Sequence, residues 1–105
     1  MKRVVIKLGS SVIGDERGGL RMDALARACD AAVSLRSAGT DVVLVSSGAI
    51  ARGVSVMGLG ERPTAIAELQ AASAVGQGRL FSVYDGLMGE RGVSIIALRS
   101  ACRPW

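Results

Sequence analysis

The chain has 105 residues, half of them apolar, with a single Phe, a single Tyr and a single Trp. This length accommodates one small domain, residues 1–105, and excludes a second one. Because aromatic residues are scarce, the core must be built from Val, Ile, Leu and Ala. That composition favours helices packed on a mainly parallel sheet, and the predicted fold class is α/β.

The formal net charge is +4, from 13 Lys and Arg residues against 9 Asp and Glu residues. The arginines are scattered from Arg3 to Arg103. A nucleic-acid surface would need clustered basic residues and stacking aromatics, so we expect no nucleic-acid partner. A preference for anionic small molecules remains.

Metal and membrane sites are not expected. Cys29 lies in an apolar helical pattern, Cys102 lies in the C-terminal tail, and the chain has no histidine to complete a zinc set. The apolar run between Arg3 and Lys7 is too short for a signal peptide, and no stretch approaches the roughly 18 apolar residues of a membrane span. A cytoplasmic protein is predicted.

The first predicted strand covers Val4 to Ile6 and continues into Lys7-Leu8-Gly9-Ser10-Ser11. An unpaired ammonium group costs several kcal/mol to bury, so Lys7 at the end of a buried strand indicates an anionic partner. A mobile polar loop is predicted over residues 14–19. An amphipathic helix is predicted from Met22 to Leu35, with Gly39 as its C-terminal stop.

The second predicted strand, Val42 to Val45, is a β-branched run typical of strands buried on both faces. A helix is predicted to begin near Ala49. A longer helix, capped by Thr64, is predicted to place on its apolar stripe Ile66, Leu69, Ala72, Val75, Leu80 and Val83. Gly76 and Gly78 within it indicate close packing or a bend. A third strand is predicted over Val93 to Leu98.

Two loops rich in Gly and Ser follow the first two strands: Leu8-Gly9-Ser10-Ser11 and Ser46-Ser47-Gly48-Ala49. In open α/β sheets ligands bind beyond the carboxyl ends of the strands. Glycine lets backbone N–H groups approach an anion, and hydroxyls add donors. Either loop alone is typical of an ordinary strand-to-helix turn, but the two together with Lys7 favour a phosphate site.

Several familiar sites are excluded by the order of residues. Lys7 precedes Gly9, so no P-loop is present, and Gly58-x-Gly60 is followed by Pro63, which disfavours a dinucleotide-binding fingerprint. Without histidine a Ser-His-Asp triad cannot form.

Three segments carry a family resemblance: Val5-Ile6-Lys7-Leu8-Gly9-Ser10-Ser11, Val43-Leu44-Val45-Ser46-Ser47-Gly48-Ala49-Ile50 and Ala74-Val75-Gly76-Gln77-Gly78-Arg79-Leu80. Together they resemble the N-terminal part of the glutamate 5-kinases, within the amino acid kinase superfamily, over about residues 3–98. The Lys-Leu-Gly opening is shared across the superfamily, whereas the other two segments are more specific. The resemblance implies a three-layer α/β/α sandwich, incomplete in this chain.

The resemblance also implies a reaction, the ATP-dependent phosphorylation of the L-glutamate side-chain carboxylate in the first step of proline biosynthesis, with Mg²⁺. Lys7 would be catalytic and contact the transferring phosphate of ATP, with Gly9 and Ser10 beside the phosphates. Ser47 would bind glutamate, and Gly48 and Ala49 would shape the same loop. In this family the full-length form is expected to be a homo-oligomer. Phosphoryl transfer needs positioning and charge neutralisation rather than a covalent nucleophile, which agrees with these residue types.

The chain departs from the family at its C-terminal end. Residues 99–105 have no periodicity and do not match the family, whose further substrate-binding and nucleotide-binding residues lie beyond the matched part. We expect a truncation or a shifted reading frame there. Two alternatives stay open: a catalytically inactive fragment or partial ligand-binding module, and another member of the superfamily such as an aspartate or carbamate kinase.

Overall fold

A computed structural model describes residues 2–15 and 19–95. Along the chain the elements are β1 (Arg3–Leu8), α1 (Ser10–Ile13), α2 (Met22–Ser37), β2 (Asp41–Ser46), α3 (Ala49–Val56) and α4 (Ile66–Glu90). Within the described ranges, β1 and β2 form a two-stranded parallel sheet. The predicted α/β class with a parallel sheet is confirmed.

The sheet is covered on one face in the described part of the chain. Ile6, Val42 and Leu44 pack against a core formed by side chains of α2 and α4. On the opposite face Val5, Val43 and Val45 are 55%, 38% and 41% exposed. The prediction that both strands are buried on both faces is therefore wrong for the described residues, because α2 and α4 pack on the same side of the sheet.

The core lies between the sheet, α2 and α4. Its buried residues are Leu8, Ile13, Leu25, Cys29, Ala32, Leu80, Tyr84 and Met88. The predicted amphipathic helix is confirmed as α2, and Gly39 follows it with a φ of 89°, a conformation that favours glycine. The sheet-facing side of α2 therefore follows directly from its apolar spacing.

The long predicted helix is confirmed as α4, but its N-terminus and part of its buried face differ from the prediction. The N-cap is Ala65 rather than Thr64, and it makes no side-chain capping bond. The buried residues recur every four positions: Ala72, Gly76, Leu80, Tyr84 and Met88. Ile66 and Val75 are 58% and 37% exposed. Ala72 and Leu80 are buried as predicted. The small Gly76 lets α3 approach closely, so packing as well as hydrophobicity selects the buried face.

The polar loop predicted over residues 14–19 is closed at its two ends. Gly14 and Leu20 form an isolated antiparallel bridge, and the Gly19 amide donates to the Asp15 carboxylate at 2.7 Å. Residues 16–18 lie outside the described ranges. For the predicted third strand, residues 93–95 are in no strand and residues 96–98 are not described, so that strand stays a prediction.

Of the helices in residues 2–15 and 19–95, none combines the length and apolar character that crossing a membrane requires.

Candidate functional site

The two Gly- and Ser-rich loops meet at the carboxyl end of the sheet. Parallel pairing places Leu8 opposite Ser46, so the strands end side by side. The Ser47 amide then donates to the Leu8 carbonyl at 2.9 Å. A Cβ at Gly48 would lie 3.0 Å from the Ser10 Cβ, so the two loops are in van der Waals contact. The two loops therefore lie side by side at this edge, and a ligand site shared between them stays a prediction.

The first loop forms the short helix α1. The Gly9 carbonyl accepts from the amides of Val12 and Ile13 at 3.0 Å and 3.2 Å. Gly9 and Ser10 are exposed, and a Cβ built at Gly9 would have no atom within 4 Å. The buried Ile13 anchors the end of α1 in the core. The loop therefore has a fixed base and an open backbone that a ligand could approach.

The second loop turns sharply into α3. Gly48 adopts a left-handed conformation with a φ of 90°, which only glycine reaches without strain. Its carbonyl accepts from the Arg52 amide at 3.0 Å, the first bond of the helix. Ser47 remains exposed, while Gly48 and Ala49 are half-buried. The serine is thus presented to solvent by a turn that the glycine makes possible.

Lys7 lies elsewhere than its sequence context predicts. It pairs with Val45 across the sheet, and its side chain is exposed on the same face as Val5, Val43 and Val45. The prediction that Lys7 is buried is wrong for the described residues, because the lysine alternates with Ile6 and Leu8, which face the core. An anionic partner for Lys7 stays a prediction. Lys7 is nevertheless two residues from Gly9, beside the edge where the loops meet.

The second loop leads into α3, which packs very closely against α4. A Cβ at Gly76 would lie 1.5 Å from the Ala49 carbonyl oxygen, and one at Gly53 would lie 1.7 Å from that of Ala72. Neither distance leaves room for a side chain. The close packing predicted for Gly76 is confirmed, and Gly78, with no atom within 4 Å of such a Cβ, takes no part in it.

A hydrogen bond from α4 reaches the end of β2. The hydroxyls of Tyr84 and Ser46 are 3.1 Å apart, and either can donate. Tyr84 is 6% exposed. Burial raises the pKa of its phenol, while the bond to Ser46 lowers that pKa in part and the nearby Cys29 raises it. The sequence analysis did not predict the bond between Tyr84 and Ser46. The spacing of four residues from Ala72 to Tyr84 nevertheless indicates a row of buried residues on one face of α4.

Arg52 is a second residue that sequence patterns did not indicate. It is 6% exposed, and its guanidinium donates to the Gly19 carbonyl. Since Arg52 lies on α3, one helical turn after Gly48, it links the second loop to the end of the polar segment that follows α1. A cavity of about 300 Å³ lies beside it, and its lining includes Leu20, Arg52 and Arg79 but none of the six predicted site residues.

Comparison with known proteins places this sequence in a family. The model of the amino acid kinase family matches residues 2–103. The chain is 45% identical over 95 residues to the glutamate 5-kinase of Pelobacter propionicus, which covers 90% of this chain and 26% of that protein. It is 50% identical over 92 residues to the glutamate 5-kinase of Cupriavidus pinatubonensis, with 88% and 25% covered.

The glutamate 5-kinase of Burkholderia mallei (strain ATCC 23344) is 49% identical over 92 residues, covering 88% of this chain and 25% of that protein. The chain thus spans about a quarter of the length of the curated relatives it matches. Because the family match extends over nearly all of the sequence, the chain belongs to the amino acid kinase family.

Proposed function

We propose that this chain forms the substrate-side part of a glutamate 5-kinase, which transfers a phosphoryl group from ATP to the side-chain carboxylate of L-glutamate. The observation that carries the proposal is the contact between the two loops: the Ser47 amide bonds the Leu8 carbonyl at 2.9 Å, and Gly48 approaches Ser10. A glutamate held at one loop and phosphates held at the other would therefore be neighbours. The names of the relatives support this choice of substrate.

Each predicted residue has a role that suits its surroundings. The exposed Lys7 ammonium would neutralise charge on the transferring phosphoryl group, and the open space at Gly9 leaves room for phosphate oxygens beside the Ser10 hydroxyl. ATP supplies the phosphoryl group, with Mg²⁺ to offset its charge. The exposed Ser47 would bind glutamate, while Gly48 and Ala49 hold the turn.

The reaction is a single displacement at phosphorus. A carboxylate oxygen of glutamate attacks the γ-phosphorus, the new P–O bond forms, and the bond to the bridging oxygen breaks to release ADP. The products are L-glutamyl 5-phosphate and ADP. No group in this mechanism must become a covalent nucleophile, so the part of the protein is to position and to neutralise charge.

A graft tests the proposal. Residues 2–95 of this chain replace the corresponding N-terminal residues of the Cupriavidus pinatubonensis enzyme, to which the chain is 50% identical over 92 residues. We expect hydroxylamine to trap an acyl phosphate only when ATP and glutamate are both present. Lys7→Ala should lower turnover by at least about 100-fold, because it removes charge stabilisation in the transition state. Since Lys7 is exposed, the thermal midpoint should stay unchanged.

The matched control is Lys2→Ala, because Lys2 is the other lysine of the chain, is also exposed, and precedes the opposite end of β1. It should keep full turnover. A grafted enzyme that folds but forms no hydroxamate would contradict the proposed function, and unchanged turnover in Lys7→Ala would contradict the role of that lysine.

The second candidate is a non-catalytic fragment or partial ligand-binding module. It is favoured by the open sheet face of Val5, Val43 and Val45 in the described part and by the quarter-length match to the relatives. The same assay on the 105-residue chain alone separates the two. We expect no hydroxamate from the isolated chain. Measurable turnover would rule out the hypothesis of a non-catalytic fragment. A cytoplasmic location, a homo-oligomeric state and the absence of nucleic-acid and membrane partners stay predictions.

A further inference from the structure

We infer that Tyr84 is a positioning residue for the second loop, Ser46-Ser47-Gly48-Ala49, which it holds through its hydrogen bond to Ser46. The inference rests on the proposed function only for the identity of the ligand. Whatever the ligand, the Tyr84 side chain on α4, far from Ser47 in sequence, fixes the backbone that carries Ser47.

The bond has the properties of an anchor. The two hydroxyls are 3.1 Å apart and 38 positions apart in sequence, so the bond joins α4 to the carboxyl end of β2. Tyr84 is 6% exposed and belongs to the core with Leu80 and Met88, which limits the motion of its ring. A hydroxyl carried by so confined a ring stays where the helix places it.

The position of Ser46 makes the anchor useful. Ser46 is the last residue of β2 and lies opposite Leu8, while the next residue, Ser47, donates its amide to the Leu8 carbonyl at 2.9 Å. Two bonds at adjacent residues therefore fix the start of the second loop, one from α4 and one from β1. If the Tyr84 bond is lost, only the Ser47 amide bond fixes the start of the second loop, at an exposed edge.

The Gly76 contact acts at Ala49, two residues after Ser47. Gly76 on α4 packs against the Ala49 carbonyl, two helical turns before Tyr84. One face of α4 thus touches the second loop at both of its ends, at Ser46 and at Ala49. The turn between these points, Ser47-Gly48, is consequently held from both sides, as a preorganised substrate contact requires.

Hydrogen exchange in the 105-residue chain tests the anchor without reference to activity. In Tyr84→Phe the ring remains and the hydroxyl is lost. We expect the Ser47 amide to exchange roughly three- to tenfold faster, the range that corresponds to loss of one hydrogen bond, while amides in the β1–β2 ladder keep their rates. NMR resolves these amides one by one. An unchanged Ser47 rate would overturn the inference.

Variants at the other partner separate a local effect from general destabilisation. Ser46→Ala should reproduce the faster exchange of Ser47, and Ser46→Thr, which keeps a hydroxyl, should restore the original rate. Ser82→Ala is the matched control, because Ser82 lies on α4 two residues from Tyr84 and is exposed. Faster exchange in Ser82→Ala, or no restoration by Ser46→Thr, would also overturn the anchor.

The grafted kinase connects the anchor to the substrate. There Tyr84→Phe should raise KM for glutamate three- to tenfold and leave KM for ATP unchanged, a separation that general destabilisation would not produce. Equal changes in both constants would overturn the link to the glutamate loop. If the graft carrying Tyr84 forms no hydroxamate, the proposed function fails, and the exchange rates still decide whether Tyr84 anchors the loop.

Discussion

The two loops at the carboxyl end of the sheet are held in different ways. The second loop is fixed through tertiary contacts, the Tyr84 bond to Ser46 and the packing of Gly76 on Ala49. The first loop is held by local backbone bonds to the Gly9 carbonyl and by burial of Ile13 at the end of α1. In the proposed reaction the glutamate side is therefore preorganised, while the phosphate side keeps open space at Gly9. Single substitutions can therefore disturb one loop and leave the other intact.

The largest effect is expected where α3 and α4 pack closely beside the second loop. In Gly76→Ala the new methyl would overlap the Ala49 carbonyl oxygen, which lies 1.5 Å from the built Cβ position. Backbone cannot move aside as a flexible side chain does, so α3 and α4 must separate. We expect a loss of about 3 kcal/mol or more in the free energy of unfolding, measured by urea denaturation followed by circular dichroism.

Gly78→Ala is the matched control for this variant. Gly78 lies on the same helix, and a Cβ there has nothing within 4 Å. Replacing a mid-helix glycine by alanine in open space should stabilise the chain by about 1 kcal/mol. The two substitutions are thus expected to have opposite signs. Equal stabilities of the two variants would mean that the crossing is looser than the structure has it.

A smaller effect distinguishes the glycines of the two loops. Gly48 has a φ of 90° and a Cβ position 3.0 Å from the Ser10 Cβ, whereas Gly9 has a φ of −73° and open space. We expect Gly48→Ala to cost about 1–2 kcal/mol, from the left-handed backbone and the tight contact. Gly9→Ala should change stability by less than about 0.5 kcal/mol. Urea denaturation measures both.

Gly39→Ala isolates the backbone contribution. Gly39 has a φ of 89°, nearly that of Gly48, but nothing lies within 4 Å of its Cβ position. The excess cost of Gly48→Ala over Gly39→Ala therefore measures the contact between the two loops. An excess near zero would indicate that the loops do not press on each other at this point.

The same contrast explains how far the sequence predicted the fold. Local patterns identified β1, α2, β2 and the start of α3 near Ala49, because alternation and helical spacing are properties of short windows. The shared loop edge followed from parallel pairing. The exposure of Lys7 did not follow, since an apolar flank indicates burial only when an element covers that face. The Thr64 cap failed because the helix begins at Ile66, so the N-cap position falls on Ala65, whose methyl group cannot accept a hydrogen bond.

The residues that hold the second loop were beyond local patterns for a related reason. The Tyr84–Ser46 bond joins positions 38 apart, and Arg52 reaches a carbonyl 33 positions away. Helical periodicity predicted that Gly76 lies in a helix, but it could not predict that Gly76 contacts Ala49. For the site, the sequence predicted which residues form the loops. Which side chains fix them depended on tertiary contacts of α3 and α4 with segments distant in sequence.

The smallest effect concerns the core behind the second loop at alkaline pH. Burial raises the pKa of the Cys29 thiol above its ordinary value of 9.0, although Arg91 lowers that pKa in part and Asp30 raises it. Burial likewise raises the pKa of Tyr84, which belongs to the same core cluster. Both groups bind their protons more tightly in the folded state than in the unfolded state. Their contribution is therefore complete below the ordinary values and is lost as the pH rises above them.

We expect the free energy of unfolding to start falling near pH 9.0, where an unfolded Cys29 begins to ionise. The loss from the thiol should stay below about 1 kcal/mol up to about pH 9.5, because one group changes stability by at most about 1.4 kcal/mol per pH unit. Urea denaturation at several pH values measures the slope. Cys29→Ala should lower stability at neutral pH yet flatten this slope, since alanine has no proton to lose. An equally steep slope in Cys29→Ala would exclude the thiol as its source and leave Tyr84, whose ionisation begins about one pH unit higher.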